Sequence, residues 1–202
     1  MDGTVETGGA RLARPPSSAP LIVATPSQTA GPFVSIGTEW GATGRVVEDG
    51  DQGAISVTGS VFDGSGTPVT DAMLEFWQAD PDGRFPPETP PTWTGFTRAL
   101  TDGEGRYRLV TLKPGPVPGR DGGSEAPHVD VSIFARGLLQ RLVTRIYFSD
   151  EGSRNDADPV LASLGSPSLM SALVASREPG GHSYHFDIYL QGDQETVFFA
   201  PW

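Results

Sequence analysis

Apolar and polar residues alternate along several short stretches of the chain, and a period of two predicts strands with one buried face. Residues 55–62 (Ile-Ser-Val-Thr-Gly-Ser-Val-Phe) alternate cleanly, and Asp63-Gly64-Ser65-Gly66 then turns the chain. Residues 72–78 predict the next strand, stopped by Asp80-Pro81-Asp82-Gly83. The proline-rich stretch 85–91 is a loop, 96–101 runs into the turn Asp102-Gly103-Glu104-Gly105, and 107–112 is a strand before a stiff loop at 113–118. The clearest pattern is 128–134, where Val129, Val131 and Ile133 share one face and His128 and Asp130 the other. Residues 142–148 form a second strand, and the link 135–141, with Gly137, closes the two into a long-looped hairpin. Strands at 184–190 and 196–199 close the chain. Trp77, Tyr107 and Phe148 lie in such strands and are expected in the core.

Helix signals come only after Asp150. Asp158-Pro159 and Ser166-Pro167 each pair an N-cap residue with proline at the first helical position. They predict short helices at about 159–164 and 167–176, with Gly165 ending the first. Many strands, regular turns and one short helical insertion near 157–176 indicate an all-β chain of the β-sandwich class.

Composition refines this picture. A chain of 202 residues suits one domain, or one domain plus an arm. Residues 1–24, rich in Gly, Ala, Pro and Ser without periodicity, are expected to be a disordered arm, and 25–202 the sandwich domain. The next segment, 25–33, contains two prolines and a glycine and cannot be helix. It suits a linker or a segment laid across a neighbour, and composition does not choose. The net charge of −11 argues against nucleic acid, whose phosphates need basic patches. The absence of cysteine excludes disulfides and thiol nucleophiles and agrees with the expected cytoplasmic setting. No apolar run approaches the ~20 residues of a membrane span, and the local one at 19–24 is shorter than a secretory h-region of ~7–15 residues.

Candidate chemistry is sparse. His128 and Asp130, with His182 or His185 as a third ligand, make the pattern of an Fe(II) facial triad. The spacing is common by chance, and no Arg or Lys follows His185 to anchor an oxo-acid cosubstrate, so a structural His and Asp compete with it. A Gly-x-Ser-x-Gly elbow is absent, and nothing supports Glu75 and Asp80 as a carboxylate pair. Arg136, at the hairpin tip beside Gly137, could grip a carboxylate with two hydrogen bonds. A solvated loop arginine is the ordinary alternative.

Several segments together resemble the intradiol ring-cleavage dioxygenases. They are 25–32, 74–80, 82–85, 113–116, 126–148, 186–188 and 195–199, and they run in family order from about residue 25 to the C-terminus. The resemblance implies a β-sandwich that, in catalytic chains, holds Fe(III) through two tyrosinates and two histidines. Such chains use O2 to cleave a catechol between its two hydroxylated carbons. In this sequence the first tyrosine position is Phe85 and the second is Val117. The paired histidines become His128 and Asp130, and an arginine that faces substrate becomes Glu125. Phe and Val offer no donor atom, so the resemblance implies a chain that binds no iron and has no catalytic residue of its own. Its implied role is that of a non-catalytic α-type chain in an (αβ)n oligomer. Fe(III) would sit in a homologous β chain, protocatechuate and O2 would be the substrates, and 3-carboxy-cis,cis-muconate the product. The substrate pocket would be bordered from this side by Thr29, Ala30, Gly31, Pro32 and Arg136. Two features depart from such α chains: the length of 1–24, and Phe33 where tyrosine is frequent. A stand-alone sandwich binding module and the Fe(II) triad enzyme are the competing readings.

Overall fold

The structure, a computed structural model, describes residues 37–38, 41, 43–90, 92–119 and 122–200. The expected arm at 1–24, the segment holding Thr29, Ala30, Gly31 and Pro32, and Phe33 lie outside the described residues.

Among the described residues the strands are β1 (Ala54–Phe62), β2 (Met73–Trp77), β3 (Phe96–Leu100), β4 (Arg106–Leu112), β5 (Val117–Pro118), β6 (Ser124–Glu125), β7 (His128–Phe134), β8 (Leu142–Phe148), β9 (Val174–Arg177), β10 (Ser183–His185) and β11 (Ile188–Tyr189). Three short helices, α1 (Gly152–Asp156), α2 (Pro159–Ser163) and α3 (Pro167–Ser171), fill the connection from β8 to β9. In one layer β1 pairs antiparallel with β4 and, on its other edge, parallel with β10 and β11. In the other layer β8, β7, β2 and β3 run antiparallel in that order. Strand β9 pairs with β10 on one side and β8 on the other, which joins the layers into a sandwich continuous along one side.

The alternation read from the sequence determines what lies between the layers. Val57, Val61 and Leu109 come from one layer, and Leu74, Phe76, Val129, Val131, Ile133 and Ile146 from the other, all buried. Each such side chain contributes about 1.5–3 kcal/mol over leaving it in water. Phe76 meets Tyr107 across the layers at 5.9 Å between ring centroids. The Tyr107 hydroxyl donates to the Phe186 carbonyl at 2.6 Å. That carbonyl lies so near Gly59 that a Cβ there would be 1.8 Å from it, so β1 carries glycine at this crossing. A second, smaller core of Ala126, Tyr147, Leu161 and Leu173 sits beneath the helices.

Strands β7 and β8 match the expected ranges residue for residue, and the other predicted strands before residue 150 match within a residue at each end. Four expectations are corrected. The helix predicted over 167–176 stops at Ser171, because Leu173 is buried and its carbonyl accepts the Tyr147 N–H at 2.8 Å, which turns the chain into β9. The strand at 184–190 is broken at Phe186 and Asp187, where the Asp187 carboxylate accepts the Ser60 N–H at 2.8 Å in place of a backbone carbonyl. Residues 196–199 form no strand, only a single bridge between Phe199 and Val143, since Thr196 bonds back to Tyr189. Trp77 is 39% exposed because it shares the outer face of β2 with Glu75. Among the described residues no helix is long and apolar enough to cross a membrane.

Candidate functional site

The outer face of β7 carries His128 and Asp130, as the period of two requires. Cross-strand register sets their neighbours: on β8, Tyr147 lies opposite His128 and Arg145 opposite Asp130. On the other side Trp77 of β2 lies opposite Asp130. The short ladder of β5 and β6 places Val117 opposite Glu125, just upstream of β7. Phe85 stacks on Trp77 with ring centroids 5.9 Å apart and planes 11° from parallel. Phe85, Val117, His128 and Asp130 are therefore gathered into one neighbourhood although 45 residues separate the first from the last.

Two loops lead into the first two of these positions, and their docking has an identifiable cause. Asp80 is buried, and its Oδ1 accepts the N–H groups of Asp82 and Arg84 at 3.0 and 2.9 Å. The Arg84 guanidinium closes on Oδ2 at 3.1 Å. Burial pushes the Asp80 carboxyl up, but these bonds outweigh it and hold it below the ordinary carboxylate range. The tight turn they make ends in Gly83 at φ 78°, where an added Cβ would lie 2.0 Å from the Pro116 carbonyl. The loop before Phe85 and the loop before Val117 thus touch backbone to backbone.

The side chains at the centre form a charged cluster. Arg145 donates from Nη1 to Glu125 Oε2 at 2.7 Å and from Nε to Asp130 Oδ1 at 2.9 Å. It also reaches the Tyr147 hydroxyl at 3.3 Å. Burial disfavours the guanidinium charge, but Asp130, Tyr147 and Glu125 more than offset that and keep it protonated. His128, whose side chain is 5% exposed, has Nδ1 2.7 Å from the Ala126 carbonyl. A carbonyl only accepts, so Nδ1 bears the proton and Nε2 carries the lone pair. Nε2 lies 3.9 Å from Glu125 Oε2 and 4.0 Å from Asp130 Oδ1. Burial, with the Arg145 charge adding to it, pushes the His128 pKa down, so the ring is neutral. Burial likewise raises the Tyr147 hydroxyl, which stays protonated.

This donor set does not fit a ferric ion. Phe85 and Val117 supply no oxygen where the family resemblance implies tyrosinates, and Asp130 is committed to Arg145. A guanidinium bridges the two carboxylates that a cation would otherwise draw together. The facial triad does not assemble either. His185 lies on β10 beside β1, pairs with Asp187 at 3.1 Å and lines a cavity of about 490 Å³ with Thr58, Gly59 and Tyr107, in the other layer of the sandwich. His182 precedes the same strand, where its carbonyl accepts the Ser56 N–H at 2.9 Å. Glu75 and Asp80 also stay apart: Glu75 pairs with Arg98 at 2.8 Å, Asp80 with Arg84.

Arg136 lies just past β7, as the pattern predicted, with its side chain 68% exposed. The structure adds an ion pair from its Nε to Asp71 Oδ2, which sequence reasoning missed. It also missed Glu125 and Arg145 as one cluster. The available signal was an arginine as the one charged residue of its strand, across a hairpin from Asp130.

Comparison with known proteins gives these positions a context. Residues 30–192 match the family model described as Dioxygenase. The chain is 40% identical over 197 residues to the protocatechuate 3,4-dioxygenase alpha chain of Pseudomonas putida, covering 89% of this chain and 97% of that one. It is 36% identical over 162 residues to the protocatechuate 3,4-dioxygenase beta chain of Burkholderia cepacia, covering 70% of this chain and 66% of that one. Among solved structures it resembles the dioxygenase domain of a dioxygenase carbohydrate-binding protein fusion from Streptomyces sp. SirexAA-E. That match has 29% identity and a TM-score of 0.57, with 73% of this chain and 86% of that chain covered.

Proposed function

Since the chain belongs to the intradiol dioxygenase family, we propose that it serves as the non-catalytic α-type chain of a protocatechuate 3,4-dioxygenase. One observation carries the reading: in a retained family fold, Phe85 and Val117 have no donor atoms and Asp130 is tied to Arg145. The ferric ion is then assigned to a homologous β-type chain, and the likeness to a beta chain as well as an alpha chain supports an αβ pair. Two chains of one fold can meet through equivalent faces and close a pseudo-symmetric unit, repeated as (αβ)n. The pair uses O2 to open protocatechuate between its hydroxylated carbons, giving 3-carboxy-cis,cis-muconate, and works in the cytoplasm.

In this reading Arg136 orients the substrate. Protocatechuate carries a carboxylate away from its reacting hydroxyls, and an exposed guanidinium at a hairpin tip suits it. Asp71 pairs with Nε, and the Arg136 side chain is 68% exposed. Thr29, Ala30, Gly31 and Pro32 border the same pocket through small side chains and backbone.

Co-expression with a β-type chain tests the role. The chain alone is expected to show no turnover and to aggregate through an uncovered interface, and the complex to restore both solubility and activity. A well-behaved monomer that ignores the β chain would instead favour the stand-alone binding module. Within the complex, Arg136→Ala should raise KM for protocatechuate about ten-fold, the scale of one charge-assisted hydrogen bond. An unchanged KM would remove Arg136 from the pocket.

A further inference from the structure

The family implies a metal at this place and the side chains present do not accept one, yet the place is not apolar. It holds two carboxylates, a neutral imidazole and one guanidinium. We infer that the Arg145 guanidinium is the resident cation of this site, a built-in occupant that keeps metal ions out, and that without it His128, Glu125 and Asp130 form a divalent-metal site. The inference rests on the proposed family role only for which positions would face iron. The rest comes from this chain's own distances.

Three features support it. First, the imidazole is already set as a metal-ligating histidine is set: Nδ1–H is fixed on the Ala126 carbonyl at 2.7 Å, and Nε2 lies on the side of both carboxylates. Second, Nε2 stands 3.9 and 4.0 Å from the two carboxylate oxygens. Donors bound to one ion at about 2.0–2.2 Å lie roughly 3–4 Å apart, so little movement is needed. Third, the cation that now holds the carboxylates is itself held by the fold. Arg145 stands opposite Asp130 in the β7–β8 ladder, and Glu125 is anchored by the β5–β6 ladder. As the side chains stand, no group of three or more such ligands closes on one point among the described residues, so a metal would have to draw the two carboxylates toward Nε2 into the place the guanidinium now takes. A second cation entering beside a guanidinium in this largely buried cluster would meet strong repulsion. Exclusion of metal is thus a property of Arg145, in addition to the missing tyrosines.

The test uses the full chain, with its β-type partner where that is needed for solubility, and Co2+ as the probe. Uptake is read by equilibrium dialysis and by the visible absorption of bound Co2+. The wild-type chain and Arg145→Lys, which keeps a cation, should take up no Co2+ that depends on His128. Arg145→Met should bind one additional Co2+ per chain and unfold at a higher temperature with Co2+ than without. Arg145→Met combined with His128→Ala should lose both effects. Should Arg145→Met be too unstable to isolate, growth in Co2+-supplemented medium should rescue it. A folded Arg145→Met that binds no more Co2+ than wild type, an unstable one that Co2+ does not rescue, or His128-dependent Co2+ binding with Arg145 in place would each overturn the inference. Metal on this chain is the readout, so a failure of the αβ assignment, seen in turnover, is separate from a failure here.

Discussion

Asp158 ties the helical insertion to the strand that carries the site, and its removal gives a quantitative test of how the site is held. The side chain is fully buried. Oδ1 caps α2, accepting the N–H groups of Val160 and Leu161 at 2.8 and 2.9 Å. Oδ2 accepts the Ala126 N–H at 2.7 Å, and Ala126 in turn gives its carbonyl to His128. Asp158→Ala removes the cap, worth about 1 kcal/mol. It also leaves the buried Ala126 N–H without a partner, which costs about 1–3 kcal/mol. The sum is about 2–4 kcal/mol, or roughly 5–15 °C in Tm for a chain of this size. Asp158→Ser separates the parts: the shorter side chain restores the cap but cannot reach Ala126, so it should recover only about 1 kcal/mol. Urea and thermal unfolding measure the totals, and hydrogen exchange at Ala126, Val160 and Leu161 shows which bonds opened. An Asp158→Ala loss below about 1 kcal/mol, or full recovery in Asp158→Ser, would refute the double role.

Gly83→Ala should destabilise by about 2 kcal/mol or more and lower Tm, because alanine is strained at positive φ and its Cβ would strike the Pro116 carbonyl. Wild-type Tm in that variant would show that the two loops do not dock through this glycine. The Lys113 ammonium lies 2.9 Å from Asp150 and 2.8 Å from Glu151. Burial pushes both carboxyls up, but Lys113 outweighs it and holds them below their ordinary values. Folded values below the unfolded ones mean the cluster stabilises above about pH 4 and that this is lost as pH falls through the depressed folded values. Tm measured from pH 6 downward should therefore drop in that acid range, and Lys113→Met should flatten the drop.

The fold was legible wherever a strand buries one face only. In β1, and in β7 from Val129 onward, the buried and more open positions alternate, so side-chain chemistry alone reveals the period. It was less legible where pairing overrides local preference. Residues 172–176 follow a well-marked helix start with no breaker, yet β8 has an edge to satisfy and Leu173 a core to fill, and backbone pairing with Tyr147 decides the outcome. Trp77 shows the complementary error. An aromatic residue in a strand suggested core, but its register with Glu75 puts it outside, where Phe85 and Phe96 pack around it at 5.9 and 6.5 Å.

The site divides along the same line. The replaced family ligands at positions 85, 117 and 130 are legible in the sequence because they are single-residue facts once the family positions are recognised. The guanidinium that takes the cation's place is not, because it is a fact about pairs. Arg145 reaches Asp130 through the register of one hairpin and Glu125 through the end of a separate two-residue ladder. A single sequence gives neither register directly, and a charge within a strand reads equally well as a solvated one. Yet the two halves explain each other. Glu125 and Asp130 stand where the resemblance implies an arginine and a histidine, so two negative charges have entered as two tyrosinates are absent. Unpaired, those carboxylates beside a buried neutral imidazole would be costly. Arg145 makes the set tolerable, and through it the position that the resemblance assigns to iron is held together as an ion-pair cluster and not as an apolar plug.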